Sequence, residues 1–143
     1  MSRKNHFLGG LVRGREGAAA LEFALVLNLL LVLLMGMIDF GHAWFLRQVI
    51  TNASREGARA GVVYPHHVMD IPGIVTSRVK DALPGTMATD PTLNVTVDVG
   101  TGSTADPLTV TVNYTKTWWI INSFVPGMED STQIGAQSVM RYE

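Results

Sequence analysis

The polarity pattern along the chain changes character twice. Residues 18 to 38 read AAALEFALVLNLLLVLLMGMI, and only Glu22 and Asn28 interrupt this apolar run. As a helix the run is about 31 Å long at 1.5 Å per residue. That matches the roughly 30 Å hydrocarbon core of a bilayer and predicts a membrane-spanning helix. The apolar region of a cleaved secretory signal is shorter, about 7 to 15 residues. Met35, Met37 and Phe40 also stand where such a signal would need small residues before its cut.

Beyond the run the period becomes that of an amphipathic helix. Leu46, Ile50, Ala53, Gly57, Ala60 and Tyr64 recur every three or four residues and form one face. Arg47, Ser54, Arg55 and Glu56 fall off it. The face shrinks toward Ala and Gly, and a helix-interior Gly costs about 1 kcal/mol relative to Ala. Its return would be close approach of another backbone, such as a sheet laid on the helix. The helix should run to about Val63 and end at Tyr64-Pro65. Asp70-Ile71-Pro72 then reads as a second helix start, with Pro72 at the first helical position. Val75, Val79 and Ala82 give that helix its apolar side, and Pro84-Gly85 stops it.

The last third alternates with a period of two, the mark of half-buried strands. Leu93, Val95, Val97 and Val99 form one set; Leu108, Val110, Val112 and Tyr114 form a second. Gly100 to Pro107 links them. A weaker strand runs near Gln133 to Arg141, with Ile134, Ala136, Ser138 and Met140 on one side. Trp118, Trp119, Ile120 and Ile121 are expected in the core or packed on a helix, where apolar side chains usually lie. The prediction is an α+β fold: a long N-terminal helix, a short second helix, and a three-stranded antiparallel sheet. The exported half of the long helix should cover the sheet's apolar face.

Charge sets the orientation. Arg3, Lys4, Arg13 and Arg15 precede the apolar run with Glu16 as their only acidic neighbour, although the whole chain carries 11 basic and 12 acidic residues. The flank after the run (Asp39, Phe40, Gly41, His42) lacks Lys and Arg. The positive-inside rule keeps residues 1 to 17 in the cytoplasm and sends the chain outward from about residue 39. Three regions follow: a basic leader at 1–17, a transmembrane helix at 18–38 and an exported domain at 39–143. Trp44 and Phe45 read equally as core or as an interfacial aromatic anchor. A basic head on an acidic body is not the contiguous basic face of a nucleic-acid binder.

Little else carries chemistry. There is no cysteine, which excludes disulfides and thiolate sites. His66, His67 and Asp70 fit no compact zinc spacing and read as a polar loop. Arg55 and Arg59 read as solvated surface. The glycines of 100–107 lack the lysine and following helix of a phosphate loop. No nucleophile elbow or HExxH motif is present, so no catalytic residue, metal or cofactor is expected.

Glu22 is the informative residue. A charge at the centre of a bilayer costs at least about 2.5 to 3.5 kcal/mol, and less near the edge, where a side chain can snorkel. A tolerated, snorkelling Glu is the plain reading. Its surroundings add another. Gly17-Ala18-Ala19-Ala20-Leu21-Glu22 behind a short basic leader resembles the processing site of type IV prepilins and pseudopilins. In that group a prepilin peptidase cuts after a glycine, and the mature helix carries Glu at its fifth residue. Here that implies a cut between Gly17 and Ala18, with Glu22 in the fifth place.

Glu22-Phe23, Asp39-Phe40-Gly41, residues 53 to 61 (ASREGARAG) and the ending Met140-Arg141-Tyr142-Glu143 narrow the resemblance. They resemble the TadE-like pseudopilins of the tight-adherence (Flp) pilus machinery, closely over residues 14 to 61 and loosely beyond. The resemblance implies a minor pilin-like structural subunit, not an enzyme. It implies an inner-membrane location with the C-terminal domain in the periplasm. The implied partners are a prepilin peptidase, other pilin-like subunits and the inner-membrane pilus platform. Gly17 and Ala18 would form the processing site, and Glu22 and Phe23 would serve assembly. Major Flp pilins carry Glu-Tyr and are much shorter, so Glu22-Phe23 and the exported domain argue against that role. The competing reading is a signal-anchored envelope protein whose exported domain binds a ligand or partner.

Overall fold

The computed structural model describes residues 8–63, 70–101, 107–125 and 127–142. The fold is α+β, in the order α1 (Leu8–Val63), α2 (Ile71–Ala82), α3 (Gly85–Ala88), β1 (Asn94–Asp98), β2 (Leu108–Thr117), α4 (Ile121–Phe124) and β3 (Ser131–Met140). The chain divides into two compact units, Met1–Ile38 and Asp39–Glu143. Tyr64, Pro65, His66, His67 and the interior of the 100–107 link lie outside the described residues.

In the first unit the apolar run is helical, and its side chains are largely uncovered by protein. α1 is the one helix among the described residues long and apolar enough to cross a membrane, with a mean hydropathy of 2.5 over its most apolar window. Such a surface is unfavourable in water, at roughly 25 cal/mol per Å² of exposed apolar area, and favourable in lipid.

The second unit packs the rest of α1 and α2 against the sheet. The strands lie in the order β1-β2-β3, antiparallel throughout. Val97 faces Val110 across β1 and β2, and Val112 faces Ala136 across β2 and β3. Leu108, Val110 and Val112 are fully buried and meet Leu46, Ile50 and Ala53 of α1 and Val75 and Val79 of α2 in one core. Tyr142 is buried after β3, and its hydroxyl donates to the Val99 carbonyl, 3.2 Å away. That bond ties the chain's end back to the far edge of the sheet.

α2 starts at its cap: the Asp70 carboxylate accepts from the Gly73 N–H at 2.9 Å. Pro72 is thus the second helical residue, where its missing N–H is equally harmless. Ala82 is exposed, and Leu83 is buried in its place. The chain is already extended at Leu83, so its side chain turns inward as the helix ends.

α1 departs from the predicted face in an instructive way. Ser54 and Ala58 are fully buried, whereas Ala60 is only half-buried. Two neighbours cover adjacent flanks of the helix, so the buried stripe is wider than a single row. One flank meets α2. A Cβ added at Gly57 would collide with Val79 and lie 3.3 Å from a Val75 methyl; one added at Gly61 would meet Leu108 and lie 2.7 Å from Val75. Gly57 therefore admits α2, both its valine side chains and the Val75 carbonyl at 3.4 Å, and Gly61 admits Val75 of α2 together with the Leu108 side chain of β2. The other flank meets β3, where the Ser54 and Ser138 hydroxyls are hydrogen-bonded at 2.8 Å.

Candidate functional site

Two places on the chain carry charge in unusual surroundings. The first is the N-terminal segment expected to carry processing and assembly. Gly17, Ala18, Glu22 and Phe23 are exposed on α1. A side chain added at Gly17 would meet nothing within 4 Å. Glu22 is the only acidic residue between Gly17 and Ile38. Glu22 and Phe23 are adjacent and therefore leave the helix about 100° apart, so one can serve a charge contact while the other packs.

The second place lies in the other unit; Asp39 figures in the sequence resemblance, but its pairing with Lys116 does not. Asp39, the first residue after the apolar run, is 1% exposed, and Lys116 on β2 is 2% exposed. Their charged atoms are 3.5 Å apart. Asp39 also accepts three backbone hydrogen bonds, from the N–H groups of Trp119 at 3.3 Å, Ile120 at 3.0 Å and Ile121 at 3.1 Å. Ile120 and Ile121 open α4, so a carboxylate of α1 caps α4 from outside its own segment. Burial by itself pushes the Asp39 carboxyl up. The three N–H donors and Lys116 outweigh it and hold the group below its ordinary value.

The Lys116 ammonium is further satisfied by donation to the Thr117 carbonyl at 3.1 Å. It also sits over the Trp118 ring at 4.2 Å, within cation–π range. Trp119 stacks on His42 with ring centroids 4.7 Å apart. The buried His42 Nδ1 has no hydrogen-bond partner among the described residues.

This arrangement corrects the core reading of residues 118 to 121, while Trp119 does pack on a helix through its stack on His42 of α1. None of the four is buried, and Trp119 is 60% exposed. The N–H groups of Trp119, Ile120 and Ile121 turn inward to Asp39, and the side chains of these residues stay half-buried or exposed. Trp44 and Phe45 are exposed as well, so the core reading fails for both. The available signal was parity. Leu108, Val110, Val112 and Tyr114 point inward, and the next residue of that parity is Lys116. A lysine at an inward position requires a buried acid.

The second unit carries two open depressions. A cleft of about 440 Å³ is lined by Phe40, Trp44, Arg47, Trp118 and Ile134. A more polar groove of about 780 Å³ lies between α1 and α2, lined by Glu56, Arg59, Asp70, Arg78 and Asp81.

The family described as TadE-like protein matches residues 17–59. The match begins at the glycine, takes in Glu22, Phe23 and Asp39, and stops before α2 and the sheet. No curated protein and no solved structure gives a significant match.

Proposed function

We propose that this member of the TadE-like family is a minor pilin-like structural subunit of a tight-adherence (Tad/Flp) pilus system, anchored in the inner membrane and processed by a prepilin peptidase between Gly17 and Ala18. The carrying observation is Glu22: a lone carboxylate in an apolar helix surface, five residues after Gly17, within the segment matched by the family. A carboxylate in hydrocarbon needs a cationic partner. Cleavage after Gly17 creates one, the Ala18 ammonium. In a bundle of such helices, Glu22 of one subunit meets the Ala18 ammonium of its neighbour. Two unit charges about 4 Å apart attract by about 4 kcal/mol at an effective dielectric of about 20, before desolvation is counted. The contact sets an axial register and exists only after processing. Phe23 packs beside it against the neighbouring helix. The role is structural, with the peptidase, other pilin-like subunits and the inner-membrane platform as partners.

The test uses two variants. Gly17→Leu should block processing, and N-terminal sequencing of membrane-purified protein should find Ala18 first in wild type only. Because a Cβ at Gly17 would meet nothing within 4 Å among the described residues, failure to process would report the peptidase's fit. Glu22→Ala should be processed and inserted normally but recovered without its pilin partners on co-purification. An intact leader on all wild-type protein from a peptidase-positive host would sink the processing claim. Equal partner recovery with Glu22→Ala would reduce Glu22 to a tolerated snorkelling charge. Intact leader together with an undisturbed envelope location would favour the signal-anchored alternative.

A further inference from the structure

We infer that the α4 segment, Trp119 to Val125, is a second membrane contact: it lies in the headgroup region of the bilayer from which α1 emerges. The inference rests on reading residues 18–38 as a membrane span. Ile38 ends the apolar run and Asp39 follows it directly, so the position of Asp39 is set by where the helix leaves the lipid. The Asp39 carboxylate holds the N–H groups of Trp119, Ile120 and Ile121 at 3.0 to 3.3 Å. Trp119 also stacks on His42, one helical turn further on. The start of α4 is thereby pinned to the first exported turn of α1.

The side chains it presents there are apolar and uncovered. Trp119 is 60% exposed, Phe124 53% and Val125 45%; Phe40, Trp44 and Phe45 are exposed on the adjoining turns of α1. Clustered exposed apolar groups of this size mark a contact surface. The occupant follows from position and chemistry. Trp, with an apolar body and one N–H, is favoured at the water–lipid boundary, and these residues flank a span. The buried Asp39–Lys116 pair then has a use beyond stability. It holds the start of α4 against α1 while Trp119 stays exposed.

The test exploits the absence of native cysteine. Single variants Phe124→Cys, Lys80→Cys and Leu30→Cys of the full chain carry a nitroxide label. They are reconstituted in vesicles of phosphatidylethanolamine and phosphatidylglycerol. Lys80 is exposed on α2, which packs at Gly57, roughly five turns of α1 beyond Asp39. The label at Phe124 should collide severalfold more with oxygen, relative to an aqueous nickel chelate, than the label at Lys80. Leu30 should give the full lipid value. In the Trp44→Phe, Trp118→Phe double variant, Trp119 is the sole indole and reports without a label at Phe124. Lipids brominated high on the acyl chain should quench it more than lipids brominated near the chain end. A Phe124 label as aqueous as that at Lys80, with Leu30 in lipid, overturns the inference and spares the span. A Phe124 label shielded from both reagents overturns it in favour of a protein partner. An aqueous Leu30 overturns both readings.

Discussion

Asp39 and Lys116 are charges withdrawn almost wholly from water, and the balance of terms at this pair decides what each residue is worth. Desolvating an ion costs several kcal/mol, and attraction offsets this only where remaining donors and acceptors are also met. Here three N–H groups, a carbonyl and an indole ring meet them. Removing one partner should therefore hurt far more than the pair contributes net. Asp39→Ala should destabilise the exported domain by about 3–5 kcal/mol, since it strands Lys116 and three backbone donors. Asp39→Asn should cost less, because its amide oxygen still accepts. The pH dependence has a definite sign. The Asp39 carboxyl is held below its ordinary value when folded, so its contribution is complete above the unfolded value of about 3.9. It is lost as pH falls through the lower, folded value. The stability gap between wild type and Asp39→Asn should thus be constant near neutrality and close in acid. Denaturant unfolding of the full chain in detergent, followed by the Trp118 and Trp119 signals, would measure it. A gap unchanged down to pH 2 would show that the carboxylate charge plays no part.

At the scale of elements, the glycines of α1 set how closely α2 can lie. Alanine is the better helix former by about 1 kcal/mol. At Gly61, though, its Cβ would run into Leu108 and Val75, both fully buried and unable to retreat. Overpacking of this kind costs about 1–3 kcal/mol. Gly61→Ala should therefore be destabilising on balance, with a lowered unfolding midpoint, whereas Gly41→Ala, which meets nothing within 4 Å, should be neutral or stabilising. Equal effects at the two sites would mean that α2 yields freely. These contacts also show which features a single sequence exposes. The strands, the second helix and the end of α1 at Val63 were legible because each obeys one period against one partner. Ser54 and Ala58 were not, because α1 is covered on two flanks, and a one-face period cannot represent two neighbours. The core reading of Trp119 to Ile121 failed for a different reason. Hydropathy ranks side chains, and the determinant there is the backbone's demand to cap a carboxylate 80 residues away in sequence. For Gly17, Ala18, Glu22 and Phe23 the expectation rests on a resemblance carried by one helix, and all four lie exposed on that helix.

For the whole molecule the governing asymmetry is electrical. Four of the chain's eleven basic residues precede the apolar run, and the part after it is acidic on balance. In a cell with a negative interior, moving each basic side chain outward costs about 2.3 kcal/mol per 100 mV. Keeping Arg3, Lys4, Arg13 and Arg15 inside is thus favoured over the inverted arrangement, while nothing comparable retains residues 39 to 143. The domain should be outside the cytoplasm. A reporter active only in the periplasm, fused after Glu143, should be active, and a cytoplasm-only reporter at that point should be silent. Replacing all four basic residues with Gln should weaken this preference and give activity from both reporters, because the apolar run would still insert but without its bias. Replacing Arg55 and Arg59, which are exposed but lie well beyond the run, should leave the pattern unchanged. If the cytoplasmic reporter were the active one in the unaltered chain, Gly17 would face the wrong side of the membrane, and the pilin-like role would fall with the orientation.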